Sequence, residues 1–293
     1  MTEAAGDGLL EVADRLVHVR RHRGAAPTVV LCSALGAVCS DWDAVVALLP
    51  GADVLVFDRP GMGHSPPPAP AWPHAPPPTL DDEVQLIADV CESVAAAPPY
   101  VLVGHSSGGL FAQAFARMHP RLTAGLVLVD SSLPEQASDR RQHTGWLRTT
   151  FLHAPVTGAA GPLLRRLLVW LQTHHGTDPL PRAERRAIYG SPSVLRTVLA
   201  ELDGFDAAAR QLGGLATVPL PRIPITVVAA GSTGGPWRRP ASGSLREQAD
   251  LARLLGASVY RPVGDAAHLV PLDRPDAVAE EIRAVLRTVH HGA

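Results

Sequence analysis

Apolar residues fall along this chain in two alternating patterns. Short unbroken runs, Thr28–Cys32, Asp53–Phe57, Tyr100–Val103, Leu126–Val129 and Ile225–Ala229, are too short and too β-branched for helices. They read as strands covered on both faces. Between them, apolar positions return every three or four residues. Leu80, Val84, Ile87, Cys91 and Val94 follow Thr79-Leu80-Asp81-Asp82, a capping-box start. Further helices are expected near Asp41–Leu49, from the end of the Tyr100 strand to about Met118, near Leu245–Leu255, and from Pro275 to about Val289. Val12–Arg20 alternates loosely and Arg20–Gly24 reads as a turn, so an opening hairpin is expected there. Ser258–Arg261 reads as a last strand.

Strands alternating with helices at this rhythm build a mostly parallel sheet with helices on both faces. The rhythm stops after Asp130. Residues 131–222 hold no convincing strand, while Pro162–His174 and Pro192–Leu212 carry helical periodicity, the second opened by Ser191 and Pro192. The expected organisation is an α/β core formed by 1–130 and 223–293, interrupted by a helical cap at 131–222. Functional loops of such a sheet lie beyond the carboxyl ends of its strands. That rule puts the Ser33–Gly36 loop, the Asp58–Pro78 loop with its proline-crowded Pro66–Pro78 connector, Ser106 and Asp130 at one edge. The connector reads as a stiff extended loop.

Composition narrows the classes. The 293 residues are 46% hydrophobic, enough for a large core. Net charge is −2, with every cation an arginine and no basic stripe, which argues against a nucleic-acid partner. The acidic opening segment carries no long apolar core and no run reaches membrane-spanning length, so neither a secretory leader nor a membrane span is expected. Cys32, Cys39 and Cys91 lack metal spacing and read as free thiols of a reducing, cytoplasmic setting. No metal or cofactor is expected. The oligomeric state is not legible.

The chemistry centres on Gly104-His105-Ser106-Ser107-Gly108, lying between an apolar run and a helix. This is a G-x-S-x-G nucleophile elbow in strand–turn–helix context. With Asp58-Arg59-Pro60-Gly61-Met62-Gly63 and with His268 in the small-residue loop Gly264–Leu269, it makes the chain resemble the α/β-hydrolase family over nearly all of its length outside the cap. The resemblance implies an eight-stranded sheet and a triad in the chain order nucleophile, acid, histidine. It implies Ser106 as nucleophile and His268 as base. Many members hold the acid after the seventh strand, but the matching turn here is Gly231-Ser232-Thr233-Gly234, without a carboxylate. Others place it after the sixth, where Asp130 stands, so Asp130 is the expected acid, with Asp265 the outside candidate. Asp58 is expected to be structural. In the oxyanion loop Ser33-Ala34 replaces the usual His-Gly, leaving the backbone N–H groups of Leu35 and Ser107 as expected donors. Ser33, His105, Trp146 and Trp170 are candidate substrate contacts; His105 also reads as packing, and Ser33 as a group that satisfies its own loop.

The expected activity is hydrolysis of an ester, thioester or lactone of a small, largely apolar molecule through an acyl-enzyme on Ser106. Acyl transfer or cyclisation with the same triad is the alternative. So is a catalytically inactive binding protein of the same fold, suggested by the altered Ser33-Ala34 loop. Dehalogenation and epoxide opening require an aspartate nucleophile in the family that the chain resembles, and with Ser106 at that position the resemblance does not imply them.

Overall fold

The computed structural model describes residues 6–71, 73–133, 160–234 and 242–292. Eight strands form one sheet in the order β1-β2-β4-β3-β5-β6-β7-β8. They are β1 Gly6–Val12, β2 Arg15–His22, β3 Ala25–Cys32, β4 Ala52–Asp58, β5 Tyr100–His105, β6 Thr123–Val129, β7 Ile225–Ala230 and β8 Val259–Val263. β2 runs antiparallel to β1 and β4, and from β4 to β8 every neighbouring pair is parallel. The helices are α1 Asp43–Ala47, α2 Leu80–Ser93, α3 Ser107–Met118, α4 Ala160–Gln172, α5 Arg182–Tyr189, α6 Pro192–Gly214, α7 Ser242–Leu255, α8 Val270–Asp273 and α9 Pro275–Gly292.

The period-two geometry of a strand splits each apolar run between two cores. Val30, Leu55, Leu102, Leu126, Leu128 and Val227 face one side, against Leu80, Ile87, Leu110, Phe115 and Phe205. Val29, Leu31, Val54, Val101, Val103, Val127 and Val228 face the other, against Trp42, Val45, Val278 and Ile282. Nearly all are fully buried, each contributing on the order of 1.5–3 kcal/mol. Continuous hydrophobicity was therefore the correct signature of strands clad on both faces.

Two expectations need correction, and one helix was not expected. The opening hairpin is real, but it turns at Ala13-Asp14, with Val12 paired to Arg15. Residues 20–22 instead continue β2 along β4, because Arg21 must reach Asp53 (Nε to Oδ1 3.0 Å). Helix α5 was not anticipated: half of its eight residues are charged, and only Ile188 and Tyr189 are buried. On α4 the leucines are not the buried stripe. Leu163, Leu167, Leu168 and Leu171 are exposed, while Pro162, Arg165 and Val169 are buried. Arg165 turns inward because its guanidinium meets Asp41 and Asp178 and stacks over the Tyr189 ring.

Helices α4–α6 lie across the carboxyl edge of the sheet. Glu201 of α6 bonds the N–H of Gly36, beyond β3, and Thr197 packs on Gly61, beyond β4. The carbonyl of Gln172 accepts from the N–H of Leu269, beyond β8. The thirteen-residue connector 66–78 passes beside α6, and Gly204 leaves room for it: a side chain there would stand 2.9 Å from the Pro78 carbonyl.

Candidate active site

Register brings the chemistry to one edge. His105 pairs with Val129 and Cys32 with Gly104, so Ser106, Asp130 and Ser33 emerge from adjacent strand ends. Ser106 sits at the turn with φ 53° and ψ −119°, a conformation that L residues avoid. The elbow closes only because its glycines lack Cβ atoms. One on Gly104 would stand 2.4 Å from the Gly108 carbonyl oxygen, and one on Gly108 2.2 Å from that of Cys32. The Ser106 carbonyl is held by the N–H groups of Gly109 and Ser132, both at 3.0 Å.

The Ser106, His268 and Asp130 side chains converge. His268 Nδ1 lies 2.7 Å from Asp130 Oδ2, and Nε2 lies 2.9 Å from Ser106 Oγ. With Nδ1–H donating to the carboxylate, Nε2 is left as an acceptor facing the hydroxyl. The other Asp130 oxygen, Oδ1, accepts from the Ala230 N–H at 3.0 Å. Asp130 is buried, whereas the His268 side chain is 35% exposed. Behind the imidazole stands His105, fully enclosed. Burial, then the neighbouring His268, push its pKa down to about 3. A neutral ring with one N–H fits what it does, since Nε2 reaches the His268 carbonyl at 2.8 Å. His105 thus contacts the loop of His268 from behind and lies edge-on to Trp42.

The N–H of Ser107 opens α3 and has no intrahelical acceptor, as in any first turn. Among the described residues, the N–H of Leu35 also has no acceptor. Ser33 Oγ is buried and accepts from Trp42 Nε1 at 3.1 Å. The Ser107 hydroxyl is buried and, among the described residues, has no hydrogen-bond partner. With Leu35, Phe111 and Phe205 it lines a cavity of about 20 Å³ that ends at Arg59, Glu83 and Glu201. A second cavity, about 250 Å³, lies on the far side of those three charges, between the proline connector, α2 and α6.

The charges are unequal. Burial disfavours the Arg59 guanidinium, but Glu201 and then Glu83 outweigh it and hold its pKa above the ordinary value. Burial pushes the Glu83 carboxyl up to about 7 against the pull of Arg59, whose Nε is 4.0 Å away. A folded pKa above the unfolded value means that the folded state binds this proton more tightly. Its contribution to stability is therefore full below about 4.5 and is lost as pH rises through about 7. Glu83→Gln should remove that loss. Denaturation midpoints should show the variant gaining roughly 1–3 kcal/mol on wild type between about pH 5 and about pH 8. Parallel pH curves for the two proteins would contradict a raised Glu83.

Among the described residues one buried cluster has metal-ligand chemistry: a ring nitrogen of His18, Cys39 Sγ and a carboxylate oxygen of Asp58 lie within 4.8 Å of one another. Its donors are already engaged. Asp58 accepts from the Cys39 N–H (2.7 Å), the His64 N–H (3.0 Å) and His18 Nδ1 (2.8 Å), while His18 Nε2 bonds Asp7. Burial also pushes the Cys39 thiol well above its ordinary pKa, which keeps the proton on sulfur. These residues fasten the loop after β4 to the edge hairpin. Gly63 is required there, because a Cβ would stand 2.2 Å from the Asp58 carboxylate.

Among the other sequence candidates, Asp265 is exposed and paired with Arg274, not with the imidazole. Gly234 packs under the α4 C-terminus, where a Cβ would lie 2.3 Å from the Leu171 carbonyl oxygen. Trp170 stands half-exposed with Leu163 and Leu167, on the face of α4 away from Arg165. Trp146 lies outside the described residues. Sequence reasoning missed Arg59, Glu83, Glu201 and Asp273 as residues of the site; Tyr189 was expected only as a pocket-shaping residue of the cap. Asp273 accepts from the N–H groups of Ala267 (2.9 Å) and His174 (2.6 Å), tying the His268 loop to the end of α4. An acid one helical turn into the segment after His268 was the available signal.

Residues 27–215 match the family model described as alpha/beta hydrolase fold. An uncharacterized protein of Schizosaccharomyces pombe is 25% identical over 250 residues, 82% of this chain and 42% of that protein. The polyketide synthase ThaQ of Burkholderia thailandensis is 30% identical over 260 residues, 83% of this chain and 11% of that protein. The chain therefore spans less than half the length of these two relatives. Among solved structures, a thermophilic esterase from Thermogutta terrifontis superposes with a TM-score of 0.69 at 21% identity, over 98% of this chain and 99% of that one.

Proposed function

The chain belongs to the alpha/beta hydrolase fold family, and on that footing we propose that it is a serine hydrolase. Its substrate is a carboxylic ester, thioester or lactone of a small, largely apolar molecule, and the acyl group passes through Ser106. The observation that carries this reading is the continuous relay from hydroxyl to imidazole to carboxylate, 2.9 and 2.7 Å between the donor and acceptor atoms.

A serine hydroxyl attacks only if its proton is taken as the bond forms. His268 Nε2 accepts that proton, and Asp130 stabilises the imidazolium through Nδ1–H. The negative oxygen of the tetrahedral intermediate is held by the N–H groups of Leu35 and Ser107, beside the positive end of α3. When the intermediate collapses, the imidazolium returns its proton to the leaving oxygen or sulfur. A water molecule, activated by the same imidazole, then attacks the acyl-enzyme and frees the acid. Helices α4–α6 act as a cap over this edge; the part of the expected cap at 134–159 lies outside the described residues. The buried, unpaired cysteines fit a reducing, cytoplasmic setting.

A fluorophosphonate probe tests this directly. It should form an adduct that maps to Ser106 by peptide mass spectrometry, and an adduct elsewhere, or none, would remove the serine mechanism.

A second reading has its own support in the 30% identity to a segment of a polyketide synthase. Here a substrate hydroxyl or amine replaces water, giving acyl transfer or cyclisation. Product masses with and without a competing alcohol separate the two outcomes.

A further inference from the structure

We propose that Arg59 and the cap residue Glu201 are positioning residues that set the oxyanion hole, so that the hole is complete only while the cap is seated. The inference rests on the serine-hydrolase reading above. It concerns the loop Ser33–Gly36, in which Ser33-Ala34 stands in place of the family's His-Gly pair.

A trans peptide is planar, with its C=O and N–H pointing in opposite directions. Holding the carbonyl oxygen of one residue therefore aims the N–H of the next. Arg59 Nη2 donates to the Ala34 carbonyl at 2.8 Å. That contact turns the Leu35 N–H the opposite way and opposes a peptide flip. Arg59 Nη1 donates to the Ser33 carbonyl at 2.7 Å, fixing the preceding peptide in the same manner. The planar fork of a guanidinium suits two neighbouring carbonyls; an ammonium does not.

Arg59 is itself held from the cap. Its Nε donates to Glu201 Oε1 at 2.7 Å, and both side chains are more than nine-tenths buried. The other oxygen, Oε2, accepts from the Gly36 N–H at 2.8 Å, fixing the peptide after Leu35. Glu201 thus serves two donors with two separate oxygens. Tyr189, from α5, donates its hydroxyl to the Gly36 carbonyl at 2.9 Å. Four consecutive peptides are pinned, two of them by cap side chains. Gly36 itself adopts φ +70°, which glycine takes without strain.

The test compares wild type with Arg59→Lys, Glu201→Gln and the milder Tyr189→Phe on nitrophenyl acetate, with Ser106→Ala as the inactive control. Glutamine offers one acceptor where two are needed, so one of the two donors loses its partner. Glu201→Gln and Arg59→Lys should lower kcat about 10- to 100-fold with KM within about twofold, somewhat less than outright loss of an oxyanion donor. Tyr189→Phe should lower kcat a few-fold with the same split. Affinity for a boronic acid, which forms a tetrahedral adduct, should fall by the same factors. Affinity for the product acid should hold. Tyr189→Phe keeps the ring, so it remains informative if the charge variants fail to fold. An active wild type whose folded variants keep kcat, or lose kcat without losing boronate affinity, overturns the positioning role alone. A wild type that neither turns over the ester nor takes up the fluorophosphonate overturns the serine reading and this inference with it.

Discussion

Replacing Ser106 with alanine should lower ester turnover about a million-fold, the order found when a triad nucleophile is removed elsewhere. The residual rate would come from whatever the remaining N–H donors and binding surfaces still offer. The substitution is clean in structural terms. Alanine and serine bear the same strain at φ 53°, and the lost hydroxyl leaves only His268 Nε2 without a protein partner, on a ring 35% exposed to solvent. Stability should therefore change by no more than about 0.5 kcal/mol. Steady-state rates on a nitrophenyl ester, with a thermal melt of the same sample, separate chemistry from folding. A variant that keeps a tenth or more of wild-type turnover would mean that the acyl group is carried elsewhere.

Asp130→Asn should cost about 10⁴ in kcat, for a reason that can be traced atom by atom. Asp130 Oδ1 accepts from the Ala230 N–H. In the variant only the amide oxygen can take that place, so the NH2 group must face His268 Nδ1. That nitrogen then has to accept, which moves the ring proton to Nε2 and points it at Ser106. The imidazole would donate where it has to receive. Near-wild-type kcat in this variant would remove Asp130 from the relay. Substituting Asp265, which pairs with Arg274, should have no comparable effect.

How far the chain could be read ahead of its structure depends on how local each signal is. The core strands announce themselves because a strand clad on both faces is hydrophobic without interruption, and Leu126–Val129 needs no context to be recognised. The elbow is equally local, since its glycines answer clashes within a few residues and with the neighbouring strand end. Ser106, Asp130 and His268 could be nominated because the family resemblance assigns a role to a residue following each of three readable strands, although their convergence depends on register across four strands. The misreadings lie where long-range pairing overrides local pattern. The four exposed leucines of α4 look like a buried face, but Asp41 and Asp178 draw Arg165 inward instead. Arg59 and Glu201 stand 142 residues apart. Nothing near either one marks them as partners.

The backbone at Ser106 is one that glycine would occupy freely and that serine occupies under strain on the order of 1–3 kcal/mol. Asp130, at φ 41° on the adjoining strand end, stands in the same left-handed region. Backbone conformation alone would favour glycine at both places. Serine and aspartate therefore stand at neighbouring strand ends against the conformational preference of their own backbone.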